Sequence, residues 1–119
     1  MSLTNDVEIT LGGETYNLRP TLKAANAVSR QYGGFVGAFN ALQMLNLEVA
    51  TFIVRTGTNM KKADGGSIST EDLNDKVWRA GVGKLTAPLA RYVAILQNGG
   101  KDPDESNEDE AEGSDQGNG

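Results

Sequence analysis

The sequence contains neither cysteine nor histidine. The absence of cysteine excludes disulfides and thiolate metal sites, and the absence of histidine removes the commonest general base and the commonest zinc ligand. Hydrophobic runs are also short, since none approaches the roughly 20 residues that cross a bilayer. Residues 1–6 have neither the basic nor the apolar region of a secretory signal. We therefore predict a cytoplasmic protein that is not an enzyme and does not bind a membrane.

The negative charge is concentrated at one end of the chain. Residues 101–119 hold eight of the sixteen acidic residues and one of the eleven basic ones, Lys101, so this segment has a net charge of −7 and residues 1–100 have +2. The acidic segment has no aromatic residue and no aliphatic residue larger than alanine, so burial cannot offset the entropy lost on ordering it. We predict a single folded domain over 1–100 and a disordered acidic tail over 101–119.

Two short alternating runs, VEITL and ETYNL, flank Gly12 and Gly13. A two-residue turn of this kind requires positive φ angles, which glycine adopts without strain. The resulting hairpin pairs Val7 with Leu18 and Ile9 with Tyr16, and its apolar side chains share one face. Because a lone hairpin is marginal in water, that face is expected to pack on the helices that follow.

Apolar residues at helical spacing predict five short helices, over about residues 21–32, 35–45, 47–56, 69–80 and 86–96. Predicted helix ends are Gly57 for the third helix and Gly81 with Gly83 for the fourth. Pro88 lies near the predicted start of the fifth helix. The second helix is the most apolar and is expected to be the central core helix. The fold class is therefore α+β and mostly α, with the hairpin packed on a bundle of four to five helices.

Three patterns resemble binding motifs without meeting their requirements. The stretch from Gly81 to Lys84 lacks the Ser or Thr that follows Gly-Lys in a phosphate-binding loop. The alternating acids after Asp102 lack both the glycine and the final glutamate of a calcium loop. Lys61 and Lys62 form a basic pair without interleaved aromatics, which makes nucleic-acid binding unlikely. We predict no catalytic, cofactor-binding or metal-binding residues.

The aromatic side chains fall at apolar positions of the predicted helices and strands, and this favours packing over a cofactor site. An α-rich body can nevertheless offer a groove to a helix of another protein. Candidate partner-binding residues are Phe35, Phe39, Trp78 and Tyr92.

The run ITLGGETYNLRPT at residues 9–21, a glycine at Gly33 or Gly34, and a helix end between Trp78 and Gly81 before a last apolar helix together resemble a protein family. It is a family of tail proteins from long-tailed phages, prophages and gene transfer agents, described as tail assembly chaperones and sometimes labelled tail tube proteins. The similarity covers about residues 7–100.

The resemblance implies a non-enzymatic protein in the cytoplasm of the bacterial host. It would bind the tape measure protein, keep the apolar helices of that protein soluble and help to recruit tail tube subunits. Self-association into a homo-oligomer is compatible with this role. Two alternatives stay open: a structural tail component that is retained in the particle, and a small regulatory protein that binds nucleic acid through Lys61 and Lys62.

Overall fold

The computed structural model describes residues 5–61 and 66–103, in which a β-hairpin is followed by five α-helices. The strands are β1 (Val7–Leu11) and β2 (Glu14–Leu18). The helices are α1 (Leu22–Tyr32), α2 (Phe35–Gln43), α3 (Leu47–Thr58), α4 (Thr70–Ala80) and α5 (Val82–Gln97). The predicted fold class, α+β and mostly α, is confirmed. The predicted tail is outside the described residues from position 104 onward.

The hairpin forms in the predicted register. Val7 pairs with Leu18 and Ile9 with Tyr16 in an antiparallel ladder. Gly12 and Gly13 have φ angles of 60° and 84°, the positive values that a tight two-residue hairpin turn requires. The alternation of apolar and polar residues leaves one buried and one exposed face. The buried face packs against α3, α4 and α5, as the marginal stability of an isolated hairpin requires.

Side-chain caps begin three of the helices at the predicted positions. The hydroxyl of Thr21 accepts a hydrogen bond from the Ala24 amide at 3.0 Å, and Ser69 caps α4 in the same way through the Asp72 amide at 3.1 Å. The side-chain oxygen of Asn46 accepts from two amides at the start of α3. Each cap satisfies backbone N–H groups that have no partner within the helix.

Gly57 does not end α3, contrary to the sequence prediction. The helix continues to Thr58, and Asn59 ends it in the left-handed conformation with φ 58°. Gly57 is instead a close-packing position, where a Cβ atom would lie 2.9 Å from Cδ2 of Leu18 and 3.1 Å from Cζ of Tyr92. The missing side chain lets β2 and α5 approach the helix, a tertiary requirement that outweighs the helix propensity of glycine.

The fifth helix also begins earlier than predicted. It starts at Val82, directly after Gly81, so Gly83 does not break a helix and Pro88 lies inside one. Proline removes one helical hydrogen bond, at a cost of about 3 kcal/mol. The buried face of α5 offsets that cost, since it carries Leu85, Leu89, Tyr92, Val93, Ile95 and Leu96.

The central helix is α5 rather than α2. It contacts β1 and each of the other four helices, whereas α2 buries only Ala38 and Leu42. Leu45, the last residue of the helix predicted to be the central core helix, is 55% exposed. The high apolar content of α2 therefore supplies surface as well as core. Nowhere in residues 5–61 and 66–103 does a helix reach the length and hydrophobicity required to cross a membrane.

Candidate partner-binding surface

Large apolar side chains are exposed mainly on the first two helices. In the described part of the chain, five large hydrophobic residues are strongly exposed, and four of them belong to α1, α2 or the turn that follows α2. These four are Leu22 at 77%, Val36 at 69%, Met44 at 77% and Leu45 at 55%. We call them the α1–α2 surface. Single exposed apolar residues are ordinary on proteins, but a concentration on neighbouring elements indicates a binding site.

A groove of about 380 Å³ lies beside this surface. Its walls come from the start of α1, the start of α2 and the end of α5. Leu22, Ala25 and Phe35 line it on the helical-hairpin side, and Leu96 lines it from α5. Phe35 is half-buried and packs against the core. An apolar side chain that entered the groove would therefore meet both a rigid aromatic ring and the mobile side chain of Leu22.

The local sequence explains why this pair of helices is tight. Gly33 ends α1 with φ 69°, and Gly34 follows with φ 120°, so the chain reverses within two residues. Gly37 then lies against the end of α1, where an added Cβ atom would clash with the carbonyl oxygen of Tyr32. Glycine at these positions allows α2 to begin directly against α1. This contact places Phe35 next to the groove.

Leu45 lies in an unusual backbone conformation at the other end of α2. Its φ angle is 56°, in the left-handed region, and its amide donates a hydrogen bond to the carbonyl oxygen of Leu42 at 3.0 Å. Such a conformation costs roughly 1–2 kcal/mol for a residue with a side chain. Because Leu45 is more than half exposed, burial compensates little of this cost. Met44 and Leu45 are thus exposed to solvent in a turn whose left-handed conformation at Leu45 is energetically unfavourable.

The structure separates the four predicted partner-binding residues. Phe35 and Phe39 are half-buried on α2. Trp78 is 60% exposed on α4, with the Arg79 guanidinium 5.6 Å from its ring centroid, so the expectation that Trp78 points inward is wrong. Its exposure leaves it accessible to a partner.

Tyr92 does not fit a binding role, because its ring has no exposed surface. The Tyr92 hydroxyl donates a hydrogen bond to the carbonyl oxygen of Arg19 at 2.6 Å. Burial raises the pKa of Tyr92 above its usual value, and the nearby charge of Asp6 raises it further. Tyr92 is therefore a neutral core residue that ties α5 to the end of β2.

Sequence reasoning missed Leu22, Val36 and Met44 as surface residues. Leu22 falls at an apolar position of the helix predicted over residues 21–32, and in the structure it is the first residue after the Thr21 cap. At the first turn of a helix, a side chain has no preceding turn to cover it. The capping residue next to Leu22 is the sequence feature that could have indicated its exposure.

The residues of the other predicted motifs lie in separate parts of the fold. Gly81 separates α4 from α5, as predicted, and Lys84 is exposed in the first turn of α5. Lys61 pairs with Ser67 in an isolated bridge, while Lys62 and the acids from Asp104 onward are outside the described residues. No group of three potential metal ligands occurs in the part of the chain that is described.

Comparison of the chain with protein-family models, with curated proteins and with solved structures gives no match.

Proposed function

We propose that this protein is a phage-type tail assembly chaperone that binds an amphipathic helix of the tape measure protein through the α1–α2 surface. The observation that carries the proposal is the concentration of exposed Leu22, Val36, Met44 and Leu45 on two adjacent helices. The resemblance of residues 7–100 to that family supplies the identity of the partner. In this role the protein acts without catalysis in the cytoplasm of the bacterial host and helps to recruit tail tube subunits.

The physical basis is the burial of apolar surface on both partners. Each square ångström of apolar surface removed from water contributes about 25 cal/mol, before the entropic costs of association. An amphipathic helix presents anchors at i, i+3, i+4 and i+7, which suit a groove flanked by exposed apolar residues. While bound, the apolar stripe of the partner is protected from self-association.

Coexpression with the cognate tape measure protein tests the proposal directly. We expect a higher soluble yield of the tape measure protein and its copurification with this chain. The double variant Leu22→Ser/Val36→Ser should lose both effects, because it removes an apolar side chain that lines the groove, Leu22, and an exposed apolar side chain of α2, Val36. Both side chains are strongly exposed, so the fold should be retained. Circular dichroism and a urea midpoint would verify this.

Two control variants locate the interface. Thr10→Ser changes an exposed residue of β1, away from both helices of the α1–α2 surface, and should leave copurification intact. Trp78→Ser removes the exposed aromatic residue of α4. If Trp78→Ser abolishes binding and the double variant does not, the interface is on α4. If wild-type protein neither copurifies with the tape measure protein nor raises its solubility, the chaperone proposal fails.

The protein composition of the mature particle distinguishes a chaperone from the alternative, a structural tail component. A chaperone leaves before assembly is complete, whereas a tail component is retained at a fixed copy number. Quantitative mass spectrometry of purified particles should therefore find little or none of this chain. Detection at the copy number of the tube subunit would favour the structural role.

A further inference from the structure

A second groove, of about 720 Å³, has a strongly cationic lining. It lies between the end of β2, the start of α1 and the end of α3, and four cationic side chains from these segments line it: Arg19, Lys23, Arg55 and Lys61. Among the residues that the structure describes, Asp6 is the only acidic one in the lining. We call this site the basic groove. It shares neither Leu22 nor Val36 with the α1–α2 surface.

Two of the cations are held in place by neighbours. Nε of Arg19 lies 3.5 Å from a carboxylate oxygen of Asp6, and the Arg55 guanidinium lies 5.0 Å from the centroid of the Phe52 ring. In the described parts of the chain, Lys23 and Lys61 take part in no salt bridge. Within the described residues, Lys23 and Lys61 thus contribute positive charge to the groove that no salt bridge neutralises.

The described chain ends close to both grooves, since Gly100 lines the smaller groove and Thr21 lines both. Nδ2 of Asn5 donates a hydrogen bond to the carbonyl oxygen of Gly100 at 3.1 Å. A Cβ atom on Gly100 would lie 3.5 Å from the carbonyl oxygen of Pro20. Asn5 and Pro20 are each adjacent in sequence to residues that line the basic groove. The chain therefore leaves the folded body at the smaller groove, which adjoins the basic groove at Thr21.

The segment that follows has the complementary charge. Residues 104–119 contain seven acidic and no basic residues. An extended chain of this length reaches about 50 Å, at about 3.3 Å per residue, so the groove is within range. A short tether also keeps the local concentration of the segment high. At this junction the carboxylate of Asp102 accepts a hydrogen bond from the guanidinium of Arg91, an α5 residue that does not line the groove.

The geometry points to the acidic segment 104–119 as the occupant of the basic groove, bound within the same molecule. Its carboxylates neutralise Lys23, Lys61, Arg19 and Arg55, and they keep other polyanions out. The contact is electrostatic and so is weakened by salt, since the Debye length falls from about 10 Å at 0.1 M to about 3 Å at 1 M.

Paramagnetic relaxation in the full chain tests this. Because the chain has no cysteine, Ser114→Cys provides a unique position for a nitroxide label. At low salt we expect selective broadening of the amide signals around the groove, including those of Lys23 and Asn59. At 1 M NaCl the broadening should be lost. Tethering alone does not predict this salt dependence.

Paired substitutions then test the role of the groove. Lys23→Gln/Lys61→Gln should reduce the broadening, whereas Lys84→Gln removes an exposed lysine outside the groove and should not. Absence of broadening, equal effects of the two variants, or broadening that persists in 1 M NaCl would each overturn the inference. A mixture of labelled and isotope-enriched chains detects binding between molecules. Broadening only in that mixture would assign the groove to a second copy and overturn binding in cis.

A fluorescent single-stranded oligonucleotide tests whether the segment excludes other polyanions. We expect weak binding to the wild type and tighter binding to a variant in which all seven acids of 104–119 are changed to their amides. In that variant, Lys23→Gln/Lys61→Gln should weaken binding more than Lys84→Gln does. Equal affinity of the wild type and the amide variant would overturn the inference and favour a nucleic-acid role. None of these measurements requires the tape measure protein.

Discussion

Tyr92 shows how one buried polar atom joins two parts of the fold. Its hydroxyl reaches the carbonyl oxygen of Arg19, which lies between β2 and α1, from the middle of α5. The amide of Arg19 in turn donates to the carbonyl oxygen of Gly57 at 3.1 Å. The backbone of this connection is thus bonded on both sides, to α5 and to α3.

We predict that Tyr92→Phe lowers the free energy of unfolding by about 1 kcal/mol, because the Arg19 carbonyl loses its partner while the ring packing is retained. Urea denaturation at neutral pH measures the effect. An unchanged midpoint would show that water or another donor replaces the hydroxyl.

We also expect Tyr92 to make the fold less stable at high pH. Since folding raises the pKa of Tyr92 above the usual value near 10, the unfolded chain loses this proton first as the pH rises. The protonated Tyr92 hydroxyl therefore contributes its full stabilisation below about pH 10, and this contribution decreases as the pH rises further. The slope of stability against pH in that range should be smaller for Tyr92→Phe than for the wild type. Equal slopes would contradict this assignment.

Gly57 and Gly83 offer a matched pair of helical glycines. We predict that Gly57→Ala destabilises the fold by about 1–3 kcal/mol, because its methyl group would overlap Leu18 and Tyr92. Gly83→Ala should be neutral or stabilising by up to about 1 kcal/mol, because nothing lies within 4 Å of its Cβ position. Thermal or urea unfolding compares the two. A reversal of the order would mean that α3 shifts to accommodate the methyl group.

At the scale of elements, the hairpin depends on its turn. Replacement of Gly12 and Gly13 by valine should lower the free energy of unfolding by more than about 1 kcal/mol, since β-branched residues resist positive φ. Gly12→Asn is the control, because an Asn-Gly pair favours this turn and should leave stability unchanged or raised. A urea series on the three proteins provides the measurement. Equal midpoints for all three would show that strand packing alone holds the turn.

The helices contribute unequally to the hydrophobic core. α5 is the core, and α3 and the hairpin pack against it, whereas α2 is a peripheral helix with Val36 on its outer side. Peripheral elements with few buried residues are those that can adapt to a partner with little loss of stability. This division is consistent with the proposed use of α1 and α2 for binding.

For the whole molecule, residues 1–100 are expected to fold without the acidic segment. Deletion of 101–119 should change the free energy of unfolding by less than about 1 kcal/mol, because an exposed ion pair such as that between Arg91 and Asp102 contributes little. The test is a single cooperative urea transition in the truncated protein. A broad or strongly shifted transition would place part of the domain beyond residue 100.

Sequence alone determined the features that depend on neighbours along the chain. The alternation around Gly12 and Gly13 specifies both the hairpin and its register, because a slip of one residue would expose its whole apolar face. The caps at Thr21, Asn46 and Ser69 act within three residues, so their signals are local. The same holds for the asymmetric distribution of charge between residues 1–100 and 101–119.

The tertiary structure decided what depends on contacts between distant residues. Gly57 carries a local signal for a helix end and Pro88 one for a helix start, yet both lie inside helices because packing against Leu18 and the buried face of α5 outweighs those signals. Helical spacing indicated correctly that Tyr92 is a packing residue, but it did not reveal that Leu22 and Trp78 point to solvent. The basic groove unites Lys23, Arg55 and Lys61 from separate segments, and only folding brings these charges together.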